Sequence, residues 1–270
     1  MINSLYGKEL ESAVAIAKEA GEIMLKYFDE DQQIEQKADK SSVTIADKEI
    51  NSLVIRRLGE IFPEDGVIGE EESNAEYGMG RKWVCDPIDG TAGYTWGTPT
   101  SMFSLALVID GRPVIGVAFD PFLQNMFMGE KDQPSRCINR NGMERILHVN
   151  DKTFADGIMG IHGSVKAMMK APYFQKLSET KCRMAIYSGL VHKVCLIAKG
   201  RLIGFIIDGA NPHDLAAVHV ILEGAGGKMS ALDGSGLDYS KPFKSALASN
   251  GIIHDELVAI YNDSVNAASL

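Results

Sequence analysis

Four acids stand where apolar runs begin or break off. In "WVCDPIDGTAGYTWG", from Trp83 to Gly97, Asp86 closes a hydrophobic stretch, Asp89 follows three residues later, and Gly90 and Thr91 come next. Glu70 ends the apolar "GVIG", and Asp214 opens "LAAVHVIL". Two carboxylates about 4 Å apart repel by about 4 kcal/mol at an effective dielectric near 20, so semi-buried acids in a cluster need a cation or must carry raised pKa values. Divalent metal meets that need. Oxygen-only donors, with no His or Cys at ligand spacing, favour Mg2+ or Mn2+ over zinc. Gly90 and Thr91 supply complementary chemistry, because a glycine at a strand-to-helix turn exposes backbone N–H groups and a helix start attracts phosphate. A threonine hydroxyl there can also orient a water. Acids at such places can also be simply solvated or cap the following helix, and Asp89 before Gly-Thr, taken alone, reads equally well as a common turn; the four together are harder to explain that way.

The elements that would hold these acids are legible in part. Leu10, Val14, Ala17, Gly21, Met24 and Phe28 recur at steps of three and four and predict a helix. A second helix is predicted from about Ile45 to Phe62, stopped by Pro63 and carrying Asp47 in its first turn. "GVIGEEES" and "KWVCD" read as short strands that break into acids. "SMFSLALVIDGRPVIGVAFDPF" predicts a hairpin turning at Asp110 and Gly111, with "NMFMGE" as a third antiparallel strand. Beyond Asn150, short strands ("GIMGI", "MAIY", "LIGFIID") alternate with helical stretches ("GLVHKVCLIAKG", "DLAAVHVILEGAGG"). Residues 1–150 therefore read as an α+β lobe with an antiparallel sheet and most of the acids. Residues 151–270 read as an α/β lobe that adds Asp214, with catalysis expected in the cleft between them.

Bulk properties exclude several classes. The 270 residues carry a net charge of −9 and no Lys/Arg block, which argues against nucleic acid. No apolar run reaches the roughly 20 residues of a membrane helix, and acids interrupt the N-terminal apolar positions, so neither a membrane span nor a secretory signal is expected and the cytoplasm is the expected compartment. Cys85, Cys137, Cys182 and Cys195 form no C-x-x-C pair and read as buried reduced thiols. "EGAGGK" lacks dinucleotide-loop spacing and reads as a helix end with a tight turn. There is no nucleophile elbow or P-loop. His213, beside Asp214, is more often a hydrogen-bonding residue than an acid or base.

The motifs together resemble the inositol monophosphatase family of metal-dependent, lithium-sensitive phosphomonoesterases, over nearly the whole chain. "KADKSSVTIAD" is similar to its early metal-side loop, "GVIGEEES" to its G-E-E segment, "WVCDPIDGTAGY" to its D-P-I-D-G-T hallmark, and "NPHDLAAVHVILEGAGG" to its late W-D-x-A to A-G-G segment.

The resemblance implies a layered αβαβα sandwich of the inositol monophosphatase/fructose-bisphosphatase type and a homodimer. It implies that Glu70, Asp86 and the Ile88 carbonyl hold one Mg2+, that Asp86, Asp89 and Asp214 hold a second, and that a third, weaker ion shares Glu70. Mn2+ would substitute and Li+ would inhibit. Thr91 paired with Asp47 would orient and help deprotonate the attacking water, and the Gly90 and Thr91 N–H groups would hold the phosphate, with Asp89 and Asp214 nearby. Ser188, Gly189 and Leu190 match the segment that usually reads G-S-A-A and would contact substrate. His213 replaces the family's Trp, and Ile207 stands where inositol-specific members carry a ring-binding Glu. Asp208, the next residue, would point to the opposite face of a strand. The expected activity is Mg2+-dependent hydrolysis of a small polyol phosphate. Histidinol-phosphate, fructose 1,6-bisphosphate and 3′-phosphoadenosine 5′-phosphate are alternative substrates, and a catalytically silent phosphate-binding regulator is the non-enzyme alternative.

Overall fold

Small and apolar residues three and four apart build α1 (Gly7–Tyr27), whose buried stripe runs from Leu10 through Ala13, Ala17 and Ala20 to Met24. The computed structural model describes residues 5–30, 32–36, 42–161 and 165–268. A short antiparallel pair, β1 (Glu35–Gln36) and β2 (Ser42–Val43), precedes α2 (Ile45–Ile61), which ends just before Pro63. Then come β3 (Gly66–Gly69), β4 (Arg81–Asp89), α3 (Thr91–Thr95), β5 (Met102–Ile109), β6 (Arg112–Asp120), β7 (Asn125–Glu130), β8 (Arg136–Ile138) and β9 (Glu144–Ile146). The second half holds β10 (Ile158–Ile161), α4 (Val165–Lys170), α5 (Pro172–Glu179), β11 (Arg183–Ile186), α6 (Leu190–Ala198), β12 (Gly204–Asp208), α7 (Pro212–Gly224), β13 (Lys228–Ser230), β14 (Ser245–Ser249) and α8 (His254–Ala268).

Strands β3 to β9 lie in chain order in one seven-stranded sheet, antiparallel except for the β3–β4 pair. The hairpin turns at Asp110 and Gly111, both at positive φ (48° and 74°), the backbone twist that a two-residue connection needs. The second sheet has the order β11-β10-β12-β14-β13, with β10 parallel to both neighbours.

Alternation along the strands separates the layers. Trp83, Cys85, Leu105 and Leu107 face the core under α1 and α2, whereas Val84, Ala106 and Val108 face a core shared with α6, α7 and the inner face of the second sheet. A third core joins Met159, Ile203, Ile206 and Leu247 to α5 and α8 through Leu177 and Leu257. The order is therefore helices, sheet, helices, sheet, helices: an αβαβα sandwich.

Two features position the acids. Strand β4 does not stop at Asp86 as its sequence suggests but runs on to Asp89, with a register shift against β5 between the two. Gly116 and Gly129 face each other across β6 and β7, and α7 lies against them. A Cβ on Gly116 would collide with the Ala217 backbone, and one on Gly129 would come within 2.8 Å of Ile221 Cα. Glycine at both places lets the helix bearing Asp214 seat directly on the sheet bearing Asp86. The four cysteines are free thiols, three buried and Cys182 half-buried. Among the described residues no helix is long and apolar enough to cross a membrane.

Candidate active site

Asp47 occupies the third position of α2 and closes a reciprocal capping box. The Thr44 backbone N–H and hydroxyl both donate to Asp47 Oδ2, at 2.7 and 2.6 Å, and the Asp47 N–H donates to Thr44 Oγ1 at 3.4 Å. Its other oxygen, Oδ1, is buried without a partner. Burial raises the Asp47 pKa to about 7, against the pull of the Thr44 hydrogen bonds, with Glu70 and Glu71 adding repulsion.

Asp86 projects from β4 with 1% of its surface exposed, and its Oδ1 also has no partner. Its pKa is raised well above the ordinary range by burial, then by the charges of Glu70, Asp89, Asp214 and Asp47. Glu70 is brought beside β4 by its N–H, which donates to the Cys85 carbonyl at 3.2 Å. The loop after it is tied to α2 by Asn51, whose side-chain amide donates to Glu72 O at 2.9 Å.

Asp89, at the end of β4, accepts from Leu190 N at 2.8 Å with Oδ1 and from Val191 N at 2.9 Å with Oδ2, so it caps α6 from 101 and 102 residues away. Asp214 closes a second capping box, with Asn211, at the third position of α7. It also lies within side-chain hydrogen-bonding reach of Asp86. Burial lifts both Asp89 and Asp214 to about 7, against backbone hydrogen bonds that pull them down.

The N-termini of α2, α6 and α7 thus converge on one acidic cluster. Each carries about half a positive charge, which favours carboxylates in its first turn. Helix capping and clustering coexist, so the bland reading of these acids accounts for their placement but not for their mutual repulsion. Among the described residues no three His, Cys, Asp or Glu side chains meet as a ready-made metal cage. The acids retain capacity all the same: an ionised carboxylate offers about four lone-pair sites, and Asp89 uses two on α6.

Not every expected contact forms. The Thr91 hydroxyl donates to the Ile88 carbonyl at 3.0 Å rather than to Asp47, whose Oδ2 is held by Thr44. Gly90 caps α3 at φ 81°, and a Cβ there would strike Gly189 N at 2.8 Å, so the β4–α3 turn touches the start of α6. Ser188 donates to the Gly90 carbonyl at 3.4 Å, Gly189 caps α6, and the Leu190 N–H is taken by Asp89. His213 Nε2 stands 3.7 Å from Asp214 Oδ1. Of "KADKSSVTIAD", residues 37–41 lie outside the described residues.

Ile207, at the position where inositol-specific members carry a ring-binding Glu, is turned away from any substrate here. It is 0% exposed, on the face of β12 turned toward α6 and α7, and offers no surface to a ligand. Asp208 is exposed, and its charge adds to burial, the larger cause, in raising the pKa values of Tyr173 and Tyr261, which lie on α5 and α8. Ile207→Glu would therefore bury an unpaired carboxylate instead of creating a hydroxyl-binding group. A loss of stability of about 3 kcal/mol or more is expected. Urea denaturation checks this, and a variant that unfolds at the wild-type midpoint would refute it.

Sequence reasoning missed Lys193. The residue is fully buried, and its spacing on the apolar face of α6, with Leu190 and Ile197 at i−3 and i+4, was the available signal. It also passed over the two capping boxes, which Thr44-x-x-Asp47 and Asn211-x-x-Asp214 spell out.

A model of the inositol monophosphatase family matches residues 7–266. The histidinol-phosphatase of Mycobacterium tuberculosis is 30% identical over 258 residues, covering 94% of this chain and 98% of that protein. The fructose-1,6-bisphosphatase/inositol-1-monophosphatase of Thermotoga maritima is 28% identical, covering 95% of this chain and 96% of its own. Among solved structures, an inositol monophosphatase from Zymomonas mobilis matches with a TM-score of 0.80 at 28% identity, over 96% of this chain and 100% of that one. The Thermotoga maritima IMPase matches in fold at a TM-score of 0.84 and 24% identity, over 96% and 99% of the two chains. With its acids gathered at three helix starts and its length matched almost end to end, the chain belongs to the inositol monophosphatase family, phosphatases that hydrolyse phosphate monoesters and are generally metal-dependent.

Proposed function

We propose that the chain is a Mg2+-dependent phosphomonoesterase that hydrolyses a small polyol phosphate with water as nucleophile. The observation that carries this reading is Asp86: buried, with one oxygen unpartnered, and repelled by Glu70, Asp89, Asp214 and Asp47 at once. A purely structural carboxylate would be paired or replaced by a neutral residue. The donor set, four carboxylates and the Ile88 carbonyl without a cysteine or histidine among them, fits a hard divalent cation. Glu70, Asp86, Asp89, Asp214 and the Ile88 carbonyl would hold it. When bound, such ions neutralise charge on the phosphoryl group and lower the pKa of water.

The chain's own groups then divide the remaining work. Gly90 and Thr91 begin α3, where backbone N–H groups have no intrahelical acceptor and can take phosphate oxygens. Asp47, with Oδ1 free and a pKa near 7, is matched to accept a proton at neutral pH. Thr91, hydrogen-bonded to the Ile88 carbonyl, presents its oxygen as an acceptor that orients the attacking water. Ser188 and Gly189, packed against the Gly90 turn, would contact the substrate's leaving side. Residues 1–150 would contribute Asp47, Glu70, Asp86 and Asp89, and residues 151–270 Asp214 and these last contacts.

Release of phosphate from a panel of inositol 1-phosphate, histidinol-phosphate, fructose 1,6-bisphosphate and 3′-phosphoadenosine 5′-phosphate, with and without Mg2+, tests the proposal. Histidinol-phosphate enters the panel because the Mycobacterium tuberculosis relative is named for it. Because relatives of similar identity are named for different phosphate esters, inositol 1-phosphate is expected to be one of several substrates of comparable kcat/KM. Thr91→Ala is expected to lower kcat by about 10²-fold with KM little changed, the pattern of an interaction made mainly in the transition state. A raised KM with kcat intact would reduce Thr91 to a binding residue.

A further inference from the structure

We infer that Lys193 is a built-in counter-ion for Asp89 and that its charge weakens the binding of divalent cations there; the inference rests on the metal reading above. Lys193 lies on α6 with 0% of its surface exposed. Its Nζ donates to the Gly189 carbonyl at 2.8 Å and lies 4.9 and 5.1 Å from the Tyr187 and Phe205 ring centroids. The same peptide unit, Gly189 to Leu190, donates its N–H to Asp89 Oδ1 at 2.8 Å. A trans peptide points its C=O and N–H in opposite directions. An ammonium therefore holds one end of this peptide and a carboxylate the other, each at the end of the dipole that attracts it.

An apolar side chain would fill this part of the core without desolvating a charge, and the neighbouring positions Leu190, Val194 and Ile197 are apolar. A buried ammonium costs several kcal/mol, and aromatic faces offset only part of that. The charge has an electrostatic counterpart in Asp89, which holds up the lysine's pKa while burial pushes it down to about 8. Asp89 is itself repelled by Asp214. An internal ammonium relieves that repulsion without any bound ion, and it repels any cation that arrives. Orientation of Asp89 does not depend on the lysine, because the Leu190 and Val191 N–H groups of α6 fix both carboxylate oxygens. Removing the charge leaves the acid in place and makes it more attractive to a cation.

The test is the affinity for Mg2+ alone, by isothermal titration calorimetry, on full-length proteins whose thermal melts remain cooperative. Lys193→Met matches the length and suits the apolar surroundings. Lys193→Gln keeps a donor for the Gly189 carbonyl and loses the charge. Both are expected to bind Mg2+ about tenfold or more tightly than the wild type, about 1.4 kcal/mol. Lys193→Arg keeps the charge and is expected to stay within about twofold of wild-type affinity. A folded Met or Gln variant that binds Mg2+ no tighter than the wild type overturns the inference, as does an Arg variant that binds tenfold tighter. Wild-type protein that binds no Mg2+ defeats the metal reading itself, whereas wild-type binding matched by every variant defeats only the role of Lys193.

Discussion

Asp86→Asn is expected to lower kcat/KM by about 10³-fold or more while the protein stays folded. The substitution keeps the volume of the side chain and removes the charge at the centre of the cluster, where Glu70, Asp89, Asp214 and Asp47 all act on it. If cations supply several kcal/mol of transition-state stabilisation, losing their shared ligand removes a factor of that size. Titration calorimetry should show Mg2+ binding weakened in parallel. The metal-free variant should melt no lower than the metal-free wild type, because an amide at this buried place needs no counter-charge. Full turnover by the variant in EDTA would sink the metal-dependent mechanism.

Stabilisation by Mg2+ is expected to grow with pH by about 3 kcal/mol or more between pH 5 and pH 8, the part of each acid's shift that falls inside that window. The folded-state pKa values of Asp47, Asp89 and Asp214 stand at about 7, above the ordinary 3.8, and that of Asp86 is raised further. For an acid whose pKa is raised on folding, the folded chain holds a proton that the unfolded chain has already released. Stability of the metal-free protein therefore falls as pH rises from about 4 through about 7. A rise from 3.8 to about 7 in one uncoupled group corresponds to about 4 kcal/mol. His254, buried between Ser230 and Ser249 and lowered to about 4, works the other way, since its proton is lost on folding. Its effect is the same with and without metal and cancels in the difference. Denaturant melts at pH 5 and pH 8, each in EDTA and in saturating Mg2+, measure that difference directly. An equal Mg2+ effect at the two pH values would show that the acids are not the cation's ligands.

Where neighbouring residues in the chain are neighbours in the fold, the sequence was readable. The α1 stripe, the stop of α2 before Pro63, and the β5–β6 hairpin at Asp110 and Gly111 all rest on local periodicity or turn chemistry. Local patterns failed in short or half-exposed elements. Strands β8, β9, β13 and β14 were not anticipated. Helix α5 spans only Pro172–Glu179, and both it and α8 were passed over. Strand β4 overran its expected end: Pro87 and Ile88 stay buried inside a register shift against β5, and pairing resumes at Asp89 with Met102, which no composition rule signals.

By itself the sequence determined which residues form the candidate centre. Acids that interrupt apolar runs are costly wherever they are buried, and that cost is visible in one dimension. It also determined the alternation that divides the chain between two sheets. Only the tertiary structure decided how the acids are reconciled with burial. Asp47 and Asp214 close capping boxes on α2 and α7, while Asp89 takes the first N–H groups of α6, so three helix starts meet at Asp86. It decided too that Thr91 turns to Ile88, that Ile207 is sealed inside, and that Lys193 reaches Asp89 through a shared peptide. These outcomes depend on contacts between segments a hundred residues or more apart, whose approach is set by layer packing and by the bare backbones of Gly116 and Gly129 against α7.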